Sequence, residues 1–198
     1  PFTERFSPVT GTRAAGPEKF ILCNLTLDRE FLRARGLAFD GHLTSAEENL
    51  LLNRMARAGA RMVLSGDLNI VHRRRAGLAA FARQVFSSGR GRAQITLLDP
   101  RAFSAFTLLP PAALLLAAWA AFSAPGLLGR GAAVYSAVSL AAAAFSGARP
   151  ALKPAVFALF PALHIFYAAG WLSGATEALL EKLRGRSKPG RCRCEGRI

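Results

Sequence analysis

Leu43-Thr44-Ser45-Ala46-Glu47-Glu48-Asn49-Leu50-Leu51-Leu52-Asn53-Arg54-Met55 is the stretch on which the reading of this chain turns. Leu51, Leu52 and Met55 recur at helical spacing, which predicts a helix from about Ala46 to Ala58 with Gly59 at its end. Ser45 stands three residues before Glu48, and Thr44 three before Glu47, the spacing of a capping box. Paired acids at a helix start also have a chemical reading, because a carboxylate within hydrogen-bond reach of a hydroxyl can remove its proton. Glu48 is therefore either a cap or a general base, and spacing alone does not separate the two.

Working toward the amino terminus, Thr26 can cap a short helix through about Arg35, stopped by Gly36. Phe20-Ile21-Leu22-Cys23-Asn24-Leu25 suits a buried strand, and residues 1–19, rich in Pro, Gly and Thr, read as loop. Toward the carboxyl terminus, Arg61–Ser65 and Leu68–His72 look like two strands around a Gly66-Asp67 turn. From Ala76 the period changes. Leu78, Phe81, Ala82, Val85 and Phe86 form a helical stripe that suits either the membrane interface or the soluble part. Ser87-Ser88-Gly89-Arg90-Gly91-Arg92 reads as a flexible basic connector.

The remainder is apolar. Phe103 to Phe122 holds no charge and is long enough to span a hydrocarbon core of ~30 Å, with Pro110-Pro111 kinking or delaying its helix. Gly131 to Phe145 is shorter and Ala-rich, and Ala155 to Ala175 carries His164 as its ionisable group. Across 198 residues, 52% are hydrophobic, and their concentration after Phe103 signals two solvents rather than one core. The chain thus divides into a soluble part at 1–75, an amphipathic helix and basic linker at 76–102, two or three membrane helices at 103–175 and a basic tail at 176–198. Three passes would leave that tail on the side opposite residues 1–75, against the positive-inside tendency.

Twenty-six Lys and Arg against 12 Asp and Glu give a formal charge of +14, which suits anionic lipid or a phosphorylated substrate. No nucleic-acid module accompanies the charge, so nucleic acid is not an expected partner. Three cysteines, Cys23, Cys192 and Cys194, make neither a disulfide framework nor a zinc site. Residues 1–20 lack the apolar run of a signal peptide, which predicts a cytoplasmic first half. The chain opens without Met, on what reads like the middle of a domain, so a preceding portion is expected. His72, at the end of a predicted strand, is either a surface histidine or a contact to a metal or diphosphate. Arg73-Arg74-Arg75 beside it is an interfacial anchor or a phosphate attractor.

Taken in order, Asn24 with Asp28-Arg29-Glu30, Gly36-Leu37-Ala38-Phe39-Asp40, Glu47-Glu48-Asn49 with Leu50 and Arg54, Gly59-Ala60-Arg61, and Val71-His72 resemble the acceptor half of family 2 glycosyltransferases. The likeness covers about residues 20 to 92 and is nearest to membrane-attached members that build bacterial surface polysaccharides, succinoglycan-type enzymes included. It implies an α/β fold, the C-terminal part of a glycosyltransferase A-type domain followed by an α-helical membrane region. It further implies an inverting transfer from a nucleotide-sugar donor to a glycan or lipid-linked acceptor at the inner membrane, with a divalent cation, Mg or Mn. Glu48, with Glu47 before it, stands at the catalytic position. Asn24, Arg90 and Arg92 would contact the donor, and His72 the metal. Glu replaces the usual Asp at 48, Ala38 replaces a loop glycine, and Q-x-x-R-W and D-x-D motifs are absent from the sequence. The donor half that carries D-x-D in the family would precede residue 1, so this chain by itself is expected to be an inactive fragment. A rival reading from the same residues is a non-catalytic basic membrane protein that recruits a partner or anionic lipid.

Overall fold

The computed structural model describes residues 9–20, 22–41, 43, 45–68, 77–99, 101 and 104–184. Two short strands, β1 (Thr12–Ala14) and β2 (Val63–Ser65), pair antiparallel with Arg13 opposite Leu64. Six α-helices accompany them: α1 (Arg29–Ala34), α2 (Glu47–Arg57), α3 (Leu78–Leu98), α4 (Leu109–Ser123), α5 (Pro125–Ala144) and α6 (Lys153–Leu183). This corrects the α/β expectation. Among the described residues 74% are helical and the sheet has two strands, so the chain is mostly helical and does not form a glycosyltransferase A-type fold. The predicted strand at 20–25 is a 3-10 turn at Leu22–Asn24 instead, and β2 pairs with a segment whose three residues carry no alternation for a sequence reading to find.

Helix α2 lies between two apolar clusters. Leu51, Leu52 and Met55 pack with Phe20, and around them gather Phe31, Leu32, Leu37, Met62 and Leu64. Leu50, one position earlier and so turned by ~100°, meets Leu43 and Ile95 of α3. Leu50, Leu51 and Leu52 are fully buried, each contributing roughly 1.5–3 kcal/mol by removal from water. Arg57 and Asp99 close the far end of the α2–α3 contact with an ion pair.

The segment predicted as a basic connector, Ser87–Arg92, is the middle of α3. Its glycines explain the difference, since they let backbone meet backbone. A Cβ on Gly89 would lie 2.1 Å from the Tyr167 carbonyl oxygen of α6. On the facing helix, a Cβ at Gly170 would lie 2.0 Å from the Phe86 carbonyl and one at Gly174 2.3 Å from that of Arg90. These pairings rise together along both chains, so α3 and α6 run parallel. The small-residue spacing of Gly170 and Gly174 is that of close helix pairs in membranes.

Helices α5, with 20 residues, and residues 150–183, with 34, are long and apolar enough to cross a membrane. Only 11% of either apolar window is buried against the rest of the protein, so neither is the core helix of a soluble domain. Phe122 and Phe145 are each 91% exposed, and Trp119, Val134, Val138 and Leu140 also face outward. The first apolar segment is shorter than the sequence suggests: Pro110 and Pro111 sit in the opening turn of the 15-residue α4, where their missing N–H groups cost no helical bond. At 1.5 Å per residue it reaches ~22 Å, short of a ~30 Å core. Tyr135 Oη of α5 lies 2.8 Å from His164 Nδ1 of α6, so the one ionisable group of that apolar stretch has a partner.

Candidate functional site

The amino end of α2 is where the sequence and the structure place chemistry together. Glu47 and Glu48 occupy its first turn, where backbone N–H groups favour negative charge. The predicted capping box does not form. The residue before the helix is Ala46, with φ of 63°, and among the described residues no side chain caps the turn. Capping therefore does not account for Glu48. Its Oε1 instead accepts a hydrogen bond from Asn49 Nδ2 at 2.8 Å, and Asn49 Oδ1 accepts one from Arg92 Nη2 at 3.4 Å.

Carboxylate, amide and guanidinium thus form one line from α2 to α3. Asn49 is buried and further fixed by Asn53, whose Nδ2 donates to the Asn49 carbonyl at 2.7 Å. Beside that line, the Ser45 carbonyl rests on Gly91, where a Cβ would approach to 2.4 Å. The Tyr167 hydroxyl of α6 lies within Coulombic reach of Arg92. One helix, α3, therefore holds the acid-bearing end of α2 on one face and the membrane-capable α6 on another.

Arg90 does not join Arg92. Two residues apart on a helix they point ~200° apart, and Arg90 Nε pairs with Glu177 Oε2 at 2.7 Å. Gln94 Nε2 donates to the same oxygen at 3.2 Å, and Ser173 Oγ donates to Glu177 Oε1, also at 3.2 Å. Asn24 is likewise committed elsewhere, donating to the Leu68 carbonyl and tying its turn to the one after β2. Asp40, whose side chain is 2% exposed, meets Arg54 of α2 at 3.7 Å, so the 36–40 loop is fastened to the helix that carries the acids. His72 lies outside the described residues.

Sequence reasoning missed Glu177 and Tyr167. Glu177 had a signal: a carboxylate within a long apolar helix needs a cationic or hydrogen-bonding partner. Tyr167 had none, because an aromatic residue in an apolar stretch reads as packing.

Among the described residues no three His, Cys, Asp or Glu side chains converge on a point that could hold a metal ion. The described side chains thus supply no such cluster for the Mg or Mn implied by the resemblance, whose expected ligand, His72, is not among them. Two cavities stand out, one of about 560 Å³ between α3 and α6 and one of about 250 Å³ lined by Arg13, Gly16, Lys19 and Leu64. Neither is lined by Glu47 or Glu48. No protein-family model, curated protein or solved structure matches the chain.

Proposed function

We propose that this chain belongs to a membrane-attached glycosyltransferase, in which Glu48 takes the proton from an acceptor hydroxyl as a sugar arrives from a nucleotide-sugar donor. The observation that carries the reading is the Glu48–Asn49–Arg92 line. Asn49 orients the carboxylate through one oxygen, and the other oxygen accepts no hydrogen bond among the described residues. A general base needs that combination of fixed orientation and a free lone pair. Attachment of α3 to α6 supports a lipid-linked or membrane-proximal glycan acceptor. A place at the cytoplasmic face of an inner membrane follows from the basic charge beside the apolar segments. The divalent cation enters no step here, and the Arg92 guanidinium reaches the acid-bearing helix end through Asn49.

The test is transfer of labelled sugar, from a panel of nucleotide-sugar donors, to endogenous glycolipid in membranes that contain the protein. Glu48→Gln keeps the shape of the side chain and removes the base. Label transfer by the natural protein, lost in Glu48→Gln at unchanged membrane level, is the expected result, and turnover equal to the natural protein's would end Glu48's role.

A second reading is favoured by one observation: neither large cavity touches Glu48. On that reading the chain is a non-catalytic membrane protein whose charge of +14 recruits anionic lipid or an acidic partner. Saturable binding of any nucleotide-sugar to the purified chain would eliminate it.

A further inference from the structure

The cavity of about 560 Å³ belongs to neither the acid-bearing helix nor the polar cluster at Glu177. It is the wedge left where α3 and α6 part toward their amino ends. Leu78, Ala79, Phe81 and Ala82 line one wall, and Ala155, Ala158, Leu159, Ala162 and Phe166 the other. Five of these nine residues are alanines, which keeps the walls low between the larger side chains. Among the described residues no polar side chain lines it, so the described walls could not orient a sugar, a nucleotide or a peptide backbone.

We propose that this wedge is a binding groove for one acyl chain of an anionic glycerophospholipid. The inference rests on the membrane attachment proposed above and not on sugar transfer. Three observations select the occupant. First, the α6 wall is part of a helix able to cross a membrane, so the groove opens to hydrocarbon rather than to water. Second, its length suits one chain: the α6 wall from Leu159 to Phe166 rises ~10 Å, within the ~15 Å depth of one leaflet of a ~30 Å core. A long polyisoprenoid would overrun it.

Third, a cation waits at one end. Arg83 follows Ala82 directly and lies one helical turn beyond Ala79, so it stands at the groove's rim. Arg83 is exposed and forms no ion pair among the described residues. If α6 enters the hydrocarbon near Pro150, it emerges about 20 residues later, close to Tyr167 and Trp171, the residue types that sit at headgroup level. Arg83, level with Phe166, is then within reach of a phosphate by extending its side chain along the helix.

The experiment uses the full chain in phosphatidylcholine vesicles containing a minor share of phosphatidylglycerol that carries a diazirine midway along one acyl chain. After illumination and digestion, adducts are mapped by mass spectrometry. Adducts concentrated several-fold on residues 78–82 and 155–166, relative to the exposed face of α5 at Val134 and Val138, are the expected result. Even labelling of all apolar helices overturns the proposal, as does covalent pairing of two copies through these peptides with no lipid adduct. Ala158→Trp fills the groove and should remove groove adducts alone. Arg83→Gln leaves the groove intact and should erase the preference for the phosphatidylglycerol probe over a phosphatidylcholine probe with the same chain. Equal labelling by the two probes in the natural protein would refute the headgroup contact.

Discussion

At the scale of single residues, glycines and carboxylates do most of the positioning. Gly91 is the contact on which the start of α2 rests, with the Ser45 carbonyl 2.4 Å from where a Cβ would stand. Gly91→Ala must push α2 off α3, and overpacking of this kind costs roughly 1–3 kcal/mol. Gly129, inside α5, meets nothing within 4 Å of an added Cβ. Gly129→Ala should therefore be neutral or stabilising by up to ~1 kcal/mol, the difference in helix propensity. Denaturant unfolding of both variants in the same detergent measures the contrast, and equal effects would show that the Gly91 contact is not tight. At α1, Asp28 Oδ1 accepts from the Glu30 and Phe31 amides at 2.9 and 3.0 Å. Asp28→Ala should cost about 1 kcal/mol by loss of that cap, whereas Thr26→Ala should cost nothing measurable.

The last pair also shows what the sequence makes legible. Thr26 and Asp28 are both good cap residues, and which one caps depends on where the chain turns in from the core, not on composition. At α2 the helix itself is legible, predicted at 46–58 and found at Glu47–Arg57, because its apolar spacing and terminal glycine agree. Its start is not: Ser45 docks on Gly91 and Ala46 takes left-handed backbone, in place of the Ser45–Glu48 capping box. Of the candidate site, Glu48 is readable from the sequence as a cap or a general base, and Arg92 as a linker residue or, through the resemblance, a donor contact. Their link through Asn49 was not, since it requires knowing that α3 crosses that helix end.

Between elements, the α3–α6 contact is the one on which the most depends. Gly, Ser and Arg in a row read as a linker when judged by propensity, yet in a helix pair the same glycines permit contact at backbone distance. Arg90 and Glu177 are each about a third exposed, so their ion pair is worth less than ~1 kcal/mol and does not hold the helices alone. The glycines should dominate. Gly170→Leu, aimed at the Phe86 carbonyl, is expected to part the helices and expose Arg90 and Arg92 to trypsin. Glu177→Gln keeps the hydrogen-bonding shape and should leave those sites protected. Equal cleavage of both variants would mean that charge, not close approach, holds the pair. Separation of α3 should also disorder the Asn49–Arg92 contact, so a Gly170→Leu protein with undiminished sugar transfer would argue against any role for that line.

For the whole molecule, the same contact constrains how the chain crosses a bilayer. Glu177, near the end of α6, touches Arg90 on α3, and α3 in turn holds α2, so the end of α6 returns to the side that carries the soluble elements. An even number of crossings must lie between them. Two helices are long enough, α5 and α6, and the ~22 Å of α4 is too short to add a third at full depth. Two crossings would leave Arg184 on the same side as the basic first half, in keeping with the positive-inside tendency that three passes would break. Single cysteines placed at Arg61 and at Glu181 should react with a membrane-impermeant maleimide from the same side of sealed vesicles. One at Gly147, between α5 and α6, should react only from the other. The three native cysteines are replaced by Ser to keep the background silent. Labelling of positions 61 and 181 from opposite sides would require α4 to cross as well, and would be incompatible with the α3–α6 contact from which the two-pass arrangement is drawn.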